Sequence, residues 1–277
     1  MKIRFVLVIG IAVLCMGAAK KGCGGTEDAE LTSEMKALAE DIGESSGAAD
    51  TATAIVSIPV FPLTAAGKLA TAAAAATAAA TVGTFFKPAG CVTATANGTT
   101  VAYEFKSCTG PLGLVAVNGK LTASFSLVSN GVEIDVQSET LTLGKTPVEQ
   151  SAKVTVTFDG TVRKVTWDGG YKGTTNRNKL PIEHTANYTT EFDTATGCVK
   201  WNGSGSTTIA ERGLTVNVTG YERCGSLWYC PKSGTISATG KQSGLSITLD
   251  YLGGGQARIT GPNGNSWDYK MLWCIAQ

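Results

Sequence analysis

The sequence predicts an all-β fold: a large antiparallel β-sheet, barrel or sandwich, with an Ala-rich helix packed against it. Three observations carry this. From residue 88 onward apolar residues recur at every second position, as in Val132, Ile134 and Val136; Val154, Val156 and Phe158; and Leu245, Ile247, Leu249 and Tyr251. That period turns successive side chains to opposite faces of a strand and buries one face. Asn97-Gly98, Asn130-Gly131, Asp159-Gly160, Asp168-Gly169 and Asn263-Gly264 punctuate the alternation, and such pairs are strong hairpin-turn signals. Residues 63–82 are almost entirely Ala and Thr, and Ala has the strongest intrinsic helix preference. Alternation and turns divide 91–274 into roughly fourteen strands. A sheet of that size must close, fold over or have its face covered, and the small side chains of the Ala-rich helix let it lie close as the cover.

The elements before the sheet concern export. Lys2 and Arg4 precede an apolar run from Phe5 to Leu14, followed by Gly17-Ala18-Ala19 and Gly22-Cys23-Gly24, the layout of a signal segment. The run is shorter than the roughly 20 apolar residues that span a bilayer. Eight cysteines are present. Cleavage after Ala19 removes Cys15 alone and leaves an odd number for an oxidising compartment. Cleavage before a lipidated Cys23 leaves Cys91, Cys108, Cys198, Cys224, Cys230 and Cys274 to pair. Parity and Gly22 favour Cys23; Lys20 departs from the usual pattern, and the alternative at Cys15 has bulky Leu14 before it. Ordinary secretion and an uncleaved anchor are the competing readings. Gly24 after the cysteine resembles an outer-membrane sorting signal. The expected localisation is therefore an outer-membrane lipoprotein, periplasmic or surface-exposed, held to the bilayer through acylated Cys23, and secreted if that residue is not lipidated. Each buried acyl methylene contributes about 0.8 kcal/mol.

The expected organisation is a signal peptide over 1–22, a lipidated acidic tether over 23–50, an Ala/Thr-rich helical segment over 51–87 and a disulfide-stapled antiparallel domain over 88–277. Residues 24–50 hold eight acids against Lys36 alone, while 51–277 hold 18 Lys and Arg against 14 acids. In the tether, Leu31, Met35, Leu38 and Ile42 recur at helical spacing between Thr26 and Gly43, so a short solvated helix is expected there. Gly43-Glu44-Ser45-Ser46-Gly47 matches the nucleophile-elbow pattern but lacks the strand before it and the helix after it that strain and expose such a serine. No dense basic stripe is present, which argues against nucleic-acid binding.

The six later cysteines predict disulfides Cys91–Cys108, Cys198–Cys224 and Cys230–Cys274. The first two pairs each flank a hairpin, whose outer ends lie side by side; the third brackets an even number of strands. A bridge from Cys224 to Cys230, leaving Cys198 for Cys274, is the main alternative among fifteen connectivities. A weak internal repeat follows the same cysteines: Gly90-Cys91-Val92, Cys108 and Gly119-Lys120-Leu121-Thr122-Ala123 compare with Gly197-Cys198-Val199, Cys224 and Gly234-Thr235-Ile236-Ser237-Ala238. Pro88-Ala89-Gly90-Cys91, Cys108-Thr109-Gly110, Gly197-Cys198-Val199, Gly220-Tyr221, Arg223-Cys224-Gly225 and Cys230-Pro231 form a framework that resembles uncharacterised lipoproteins of Gram-negative bacteria. The resemblance covers roughly 88–274 and implies location and a disulfide framework, with no activity attached.

Chemistry is sparse. His184 is the only histidine, so a triad or zinc site would have to be built around it; the expectation is an ordinary surface histidine, with Glu183 on the opposite strand face. Asp159, Asp168, Glu191, Asp193 and Asp250 leave paired-carboxylate hydrolysis open. Asn263, Asn265 and Asp268 offer too few oxygens for calcium and read as a hairpin. Asn97, Asn187, Asn202 and Asn217 begin N-x-S/T triplets, attributed to Asn and Thr abundance. Trp267, Tyr269, Met271 and Trp273 share one strand face and are expected in the core. Trp201, Trp228 and Tyr229 are expected to pack on disulfides, with stacking on sugar rings as the alternative. Asn176, Arg177, Asn178 and Lys179 form a possible contact loop. No catalytic residue, cofactor or metal is assigned, and the oligomeric state is open. The leading reading is a membrane-anchored structural or interaction component of the envelope, with a protein or glycan as partner. A carbohydrate- or lipid-binding module is second and a carboxylate-dependent hydrolase third.

Overall fold

The structure, a computed structural model, describes residues 71–109, 116–144, 146–174, 179–225 and 230–271. The signal segment, Cys15, Cys23, the acidic tether, the Gly43 to Gly47 match, Asn176 to Asn178, Trp228, Tyr229, Trp273 and Cys274 lie outside them.

Helix α1 (Thr71–Thr81) is followed by a 3-10 turn over Val82–Phe85. Fourteen strands then follow: β1 (Val92–Asn97), β2 (Thr100–Cys108), β3 (Val117–Val128), β4 (Gly131–Ser138), β5 (Thr142–Leu143), β6 (Thr146–Asp159), β7 (Val162–Thr174), β8 (Pro181–Asp193), β9 (Cys198–Ile209), β10 (Arg212–Cys224), β11 (Ser233–Gly240), β12 (Ser246–Gly253), β13 (Gln256–Thr260) and β14 (Ser266–Lys270). All belong to one sheet whose strands pair antiparallel with their neighbours in chain order, the two-residue β5 sitting off the path against β3 and β6. The fold is all-β with a packed helix. The path runs from β1 to β14 without returning to its start, so the sheet is not a closed barrel.

One face carries the core. Val101, Tyr103 and Phe105 on β2, Leu121, Ala123 and Phe125 on β3, Val132, Ile134 and Val136 on β4, and Val154 and Val156 on β6 are all buried at alternate positions. Ala74, Ala75 and Ala78 of α1 are fully buried in the same cluster, together with Val82 and Phe86, and α1 contacts β1, β2 and β3. Alanine allows this close approach because it holds a helix without side-chain bulk. At eleven residues α1 is about 16 Å long, and among the described residues no helix is long and apolar enough to cross a membrane. A second cluster holds Leu214, Val218, Tyr221, Ile236, Ala238, Ile247, Leu249 and Tyr251 from β10, β11 and β12. The opposite face is polar, crossed by ion pairs such as Lys153 to Glu133 and Lys172 to Glu183.

Four of the five Asx-Gly pairs lie at turns. Gly98, Gly160 and Gly264 have φ of 59°, 54° and 77°, and Asn130 itself takes φ 59° at the β3–β4 turn. Asp168-Gly169 is different: it lies inside β7, opposite Lys153 and Ala152. A Cβ on Gly169 would collide with Ala152, so this glycine serves a close strand approach rather than a turn. Asn263 to Asn265 form the β13–β14 hairpin, in which the Gly261 amide donates to the Asn265 carbonyl at 2.8 Å. Asp268 accepts from Arg258 at 2.8 Å, so it is engaged across the strand pair.

Cys91–Cys108 and Cys198–Cys224 are bonded; Cys198 and Cys224 are direct partners at the outer end of the β9–β10 hairpin. Cys230 is also disulfide-bonded, to a partner outside the described residues. The repeat has a structural counterpart. Gly119 and Gly234 both adopt positive φ, 101° and 119°, and both enter the strand that follows a disulfide-closed hairpin. Each leads into a buried pair two and four residues later, Leu121 and Ala123 or Ile236 and Ala238.

Candidate functional site

The inward positions of the central strands follow from the register. Gln150, Tyr171, His184 and Thr207 are successive partners across β6, β7, β8 and β9. Two residues along each strand lie Ala152, Gly169, Ala186 and Gly205; two further lie Val154, Trp167, Tyr188 and Gly203. Large rings thus alternate with glycine or alanine. The Tyr188 hydroxyl occupies the space that a Cβ on Gly205 would fill, and Tyr188 also covers Gly203, an arrangement that packs a ring on the backbone of the neighbouring strand.

The rings form a row. Tyr171 meets His184 with centroids 5.9 Å apart, His184 meets Trp167 at 6.1 Å, and Trp167 meets Tyr188 at 5.8 Å. Tyr188 then meets Trp201 at 5.1 Å, Trp201 meets Tyr221 at 6.4 Å, and Tyr221 meets Tyr251 at 5.4 Å. Seven rings therefore run from β7 to β12 and bridge the two hydrophobic clusters. A register shift between Val218 and Tyr221 in β10 brings both residues to the buried face although they are three apart, the effect of a bulge. Tyr171, His184, Trp167, Tyr221 and Tyr251 are buried, whereas Tyr188 and Trp201 in the middle are half-buried.

His184 is 2 % exposed. The expected surface histidine is thus a core residue, because it shares the inward register of Ile182 and Ala186. Its Nδ1 shares a hydrogen bond of 2.9 Å with the Thr207 hydroxyl, and burial pushes its pKa down to about 4, so the ring is neutral at pH 7. Glu183 faces the other way, as expected, and pairs with Lys172 at 3.2 Å. Burial pushes the Tyr188 phenol up to about 12 and raises those of Tyr171, Tyr221 and Tyr251. Every ring in the row is therefore uncharged at neutral pH.

Around His184 lies a group of polar atoms without partners. The Gln150 amide nitrogen and oxygen, the Trp167 indole nitrogen and His184 Nε2 are buried and make no hydrogen bond; on β2 the Tyr103 hydroxyl is in the same state. Such atoms cost about 1–3 kcal/mol each and are uncommon in folded proteins. Gln150, Trp167 and His184 come from three adjacent strands. The inward positions beside them on β6 to β9, from Val148 to Val156, Trp167 to Gly173, Ile182 to Thr190 and Trp201 to Ile209, carry no charged side chain.

The other sequence candidates fall elsewhere. Lys179 is exposed with φ 55°, while its three companions in the contact loop are outside the described residues. Trp267 was expected in the core but is 49 % exposed. It has the inward register, opposite Ile259, yet among the described residues β14 ends the sheet path and no further strand pairs with it; Met271, on the same face, is buried. Trp201 packs on Tyr188 and Tyr221 and borders the hydrophobic cluster that includes disulfide-bonded Cys230. Among the carboxylates, Glu191 pairs with Lys164 at 3.5 Å and Asp250 accepts from the Thr235 hydroxyl at 2.6 Å. Asp193 accepts from the Ala195 amide and the Thr196 hydroxyl in the β8–β9 turn, Asp168 lies exposed in β7 and Asp159 exposed at the end of β6. Among the described residues one cluster has metal-ligand geometry, Cys198, Glu222 and Cys224, and its two sulfurs are already joined to each other. Sequence reasoning missed Gln150 and Trp167; their inward phase beside Val148, Ala152 and Val154 was the signal.

These features define a class: an open antiparallel meander whose buried face carries an aromatic row and a neutral polar cluster. No protein-family model, curated protein or solved structure matches the chain.

Proposed function

We propose that this chain is a lipid-anchored cell-envelope protein that acts by binding, with the aromatic row as its ligand-contacting face and an uncharged, ring-bearing or apolar molecule, carbohydrate or lipid, as its ligand. The observation that carries the reading is the continuity of the seven rings from Tyr171 to Tyr251 and their half-buried midpoint at Tyr188 and Trp201. Aromatic faces offer large contact area to apolar bodies and sugar rings at low cost in conformational entropy. Among the described residues the outer face is crossed by ion pairs and carries no comparable row of rings. The uncharged row suits reversible binding better than proton transfer, which needs a group titrating near the working pH.

Two measurements test this. The full chain, presented with a panel of glycans and neutral lipids, should bind at least one of them saturably, and Trp201→Leu should weaken that binding at least tenfold; no binding across the panel would refute the reading. Anchoring rests on the cysteine parity and the signal-like layout read from the sequence. Cys23→Ser should release the protein from the membrane pellet, and retention there, or a mature N-terminus at Lys20, contradicts lipidation.

A further inference from the structure

Gln150, Trp167 and His184 lie on the same inward face of β6, β7 and β8, with Trp167 stacked against His184 at 6.1 Å. The Gln150 and His184 side chains are 3 % and 2 % exposed, and the unpartnered atoms include an amide that both donates and accepts, an indole N–H that only donates, and an imidazole nitrogen. Tyr171 lies between Gln150 and His184 in the register, and Thr207 fixes the opposite edge of the imidazole. The cluster is thus held on both sides while four hydrogen-bonding atoms remain unused. Buried polar atoms in folded proteins find partners, and the partner implied here must supply both a donor and an acceptor.

Its charge is also constrained. No charged side chain occupies the neighbouring inward positions on β6 to β9, so a carboxylate, phosphate or ammonium group would be desolvated without a counter-ion, which is strongly unfavourable. A hydroxyl, ester or amide would meet the cluster without that penalty. The surroundings of the cluster are Ala152, Val154, Ile182, Ala186 and the rings, which suit an apolar body. The ring stack leads from the cluster through Trp167 to the half-buried Tyr188 and Trp201, the part of the row nearest solvent.

We propose that Gln150, Trp167 and His184 are an interior hydrogen-bonding site for the uncharged polar head of an amphiphile whose apolar body lies along the aromatic row. This rests on the binding reading above and names its ligand class. Octyl glucoside and 1-monooctanoylglycerol, two neutral heads on one chain length, and octanoate, a charged head, serve as probes for the full chain, followed by tryptophan fluorescence and calorimetry. At least one neutral probe should bind saturably, and octanoate at least tenfold more weakly; which neutral probe binds more tightly distinguishes a sugar head from an acylglycerol. Gln150→Met, which removes the amide at similar volume, and Trp167→Phe, which removes the indole N–H, should each weaken neutral-probe binding at least tenfold, with the thermal midpoint of Gln150→Met unchanged or raised. Octanoate binding as well as the neutral probes, or unchanged affinity in whichever of the two variants folds, overturns the site. If affinity is unchanged in those variants but lost in Trp201→Leu, the polar-head site fails while the aromatic face stands; no saturable binding of any of these probes overturns the polar-head site, and the glycan and neutral-lipid panel then decides the aromatic face.

Discussion

Valine at position 234 is expected to destroy the native packing of β10, β11 and β12. Gly234 has φ 119° and enters β11 beside the bulge of β10, where a Cβ would lie 2.6 Å from the Tyr221 nitrogen and 2.9 Å from the Gly220 carbonyl carbon. These are backbone atoms, so no side chain can swing aside. The strand cannot retreat, because Gly234 is also paired with Tyr251 of β12. The absent side chain is what lets the Tyr221 and Tyr251 rings approach to 5.4 Å across it. A branched residue adds a strained backbone to a collision with main chain, and such combinations belong to the exceptional class that costs about 4 kcal/mol or more. Urea unfolding checks this, with Gly244→Ala as the control: Gly244 also has positive φ, 66°, but has open space around it, so it should lose only about 1–2 kcal/mol. A Gly234→Val protein as stable as that control would show that β10 and β11 do not pair in this register.

Acid is expected to weaken the protein between pH 6.5 and 4. His184 is held neutral by burial, with its pKa pushed down to about 4 from an ordinary 6.5. In that window the unfolded chain binds the proton and the folded chain does not, so stability is full above the unfolded pKa and is lost as pH falls toward the folded one. A shift of this size corresponds to about 3 kcal/mol. Asp193 and Asp268 also have lowered pKa values, through hydrogen bonds from Thr161 and Thr196 and from Arg258 respectively. Both titrate below the window and cannot mimic the effect. Urea midpoints at pH 7 and 4.5 should differ in the wild type, and the difference should shrink in His184→Leu. An unchanged pH slope in that variant would place the acid sensitivity elsewhere.

The period-two alternation, the Asx-Gly pairs and the cysteine spacing made the meander, most of its hairpins and two disulfides legible in the sequence, because each is a local device acting over a few residues. The Ala-rich stretch likewise announced a helix that can lie close to a sheet. What depends on partners far apart in the chain was not legible. Whether fourteen strands close into a barrel depends on whether β14 meets β1, which no local signal encodes. Asp168-Gly169 carries the letters of a turn, and only its position opposite Ala152 shows that it relieves a steric clash within a strand. His184 and Trp267 illustrate the same limit from opposite sides. Alternation assigns each to a face, but burial of that face depends on neighbouring strands: His184 has them on both sides and is sealed, while Trp267 sits on the last strand and is open. The aromatic row is the furthest removed from local sequence, since its seven rings come from five strands spread over 85 residues, from Trp167 to Tyr251, and only cross-strand register brings them into line.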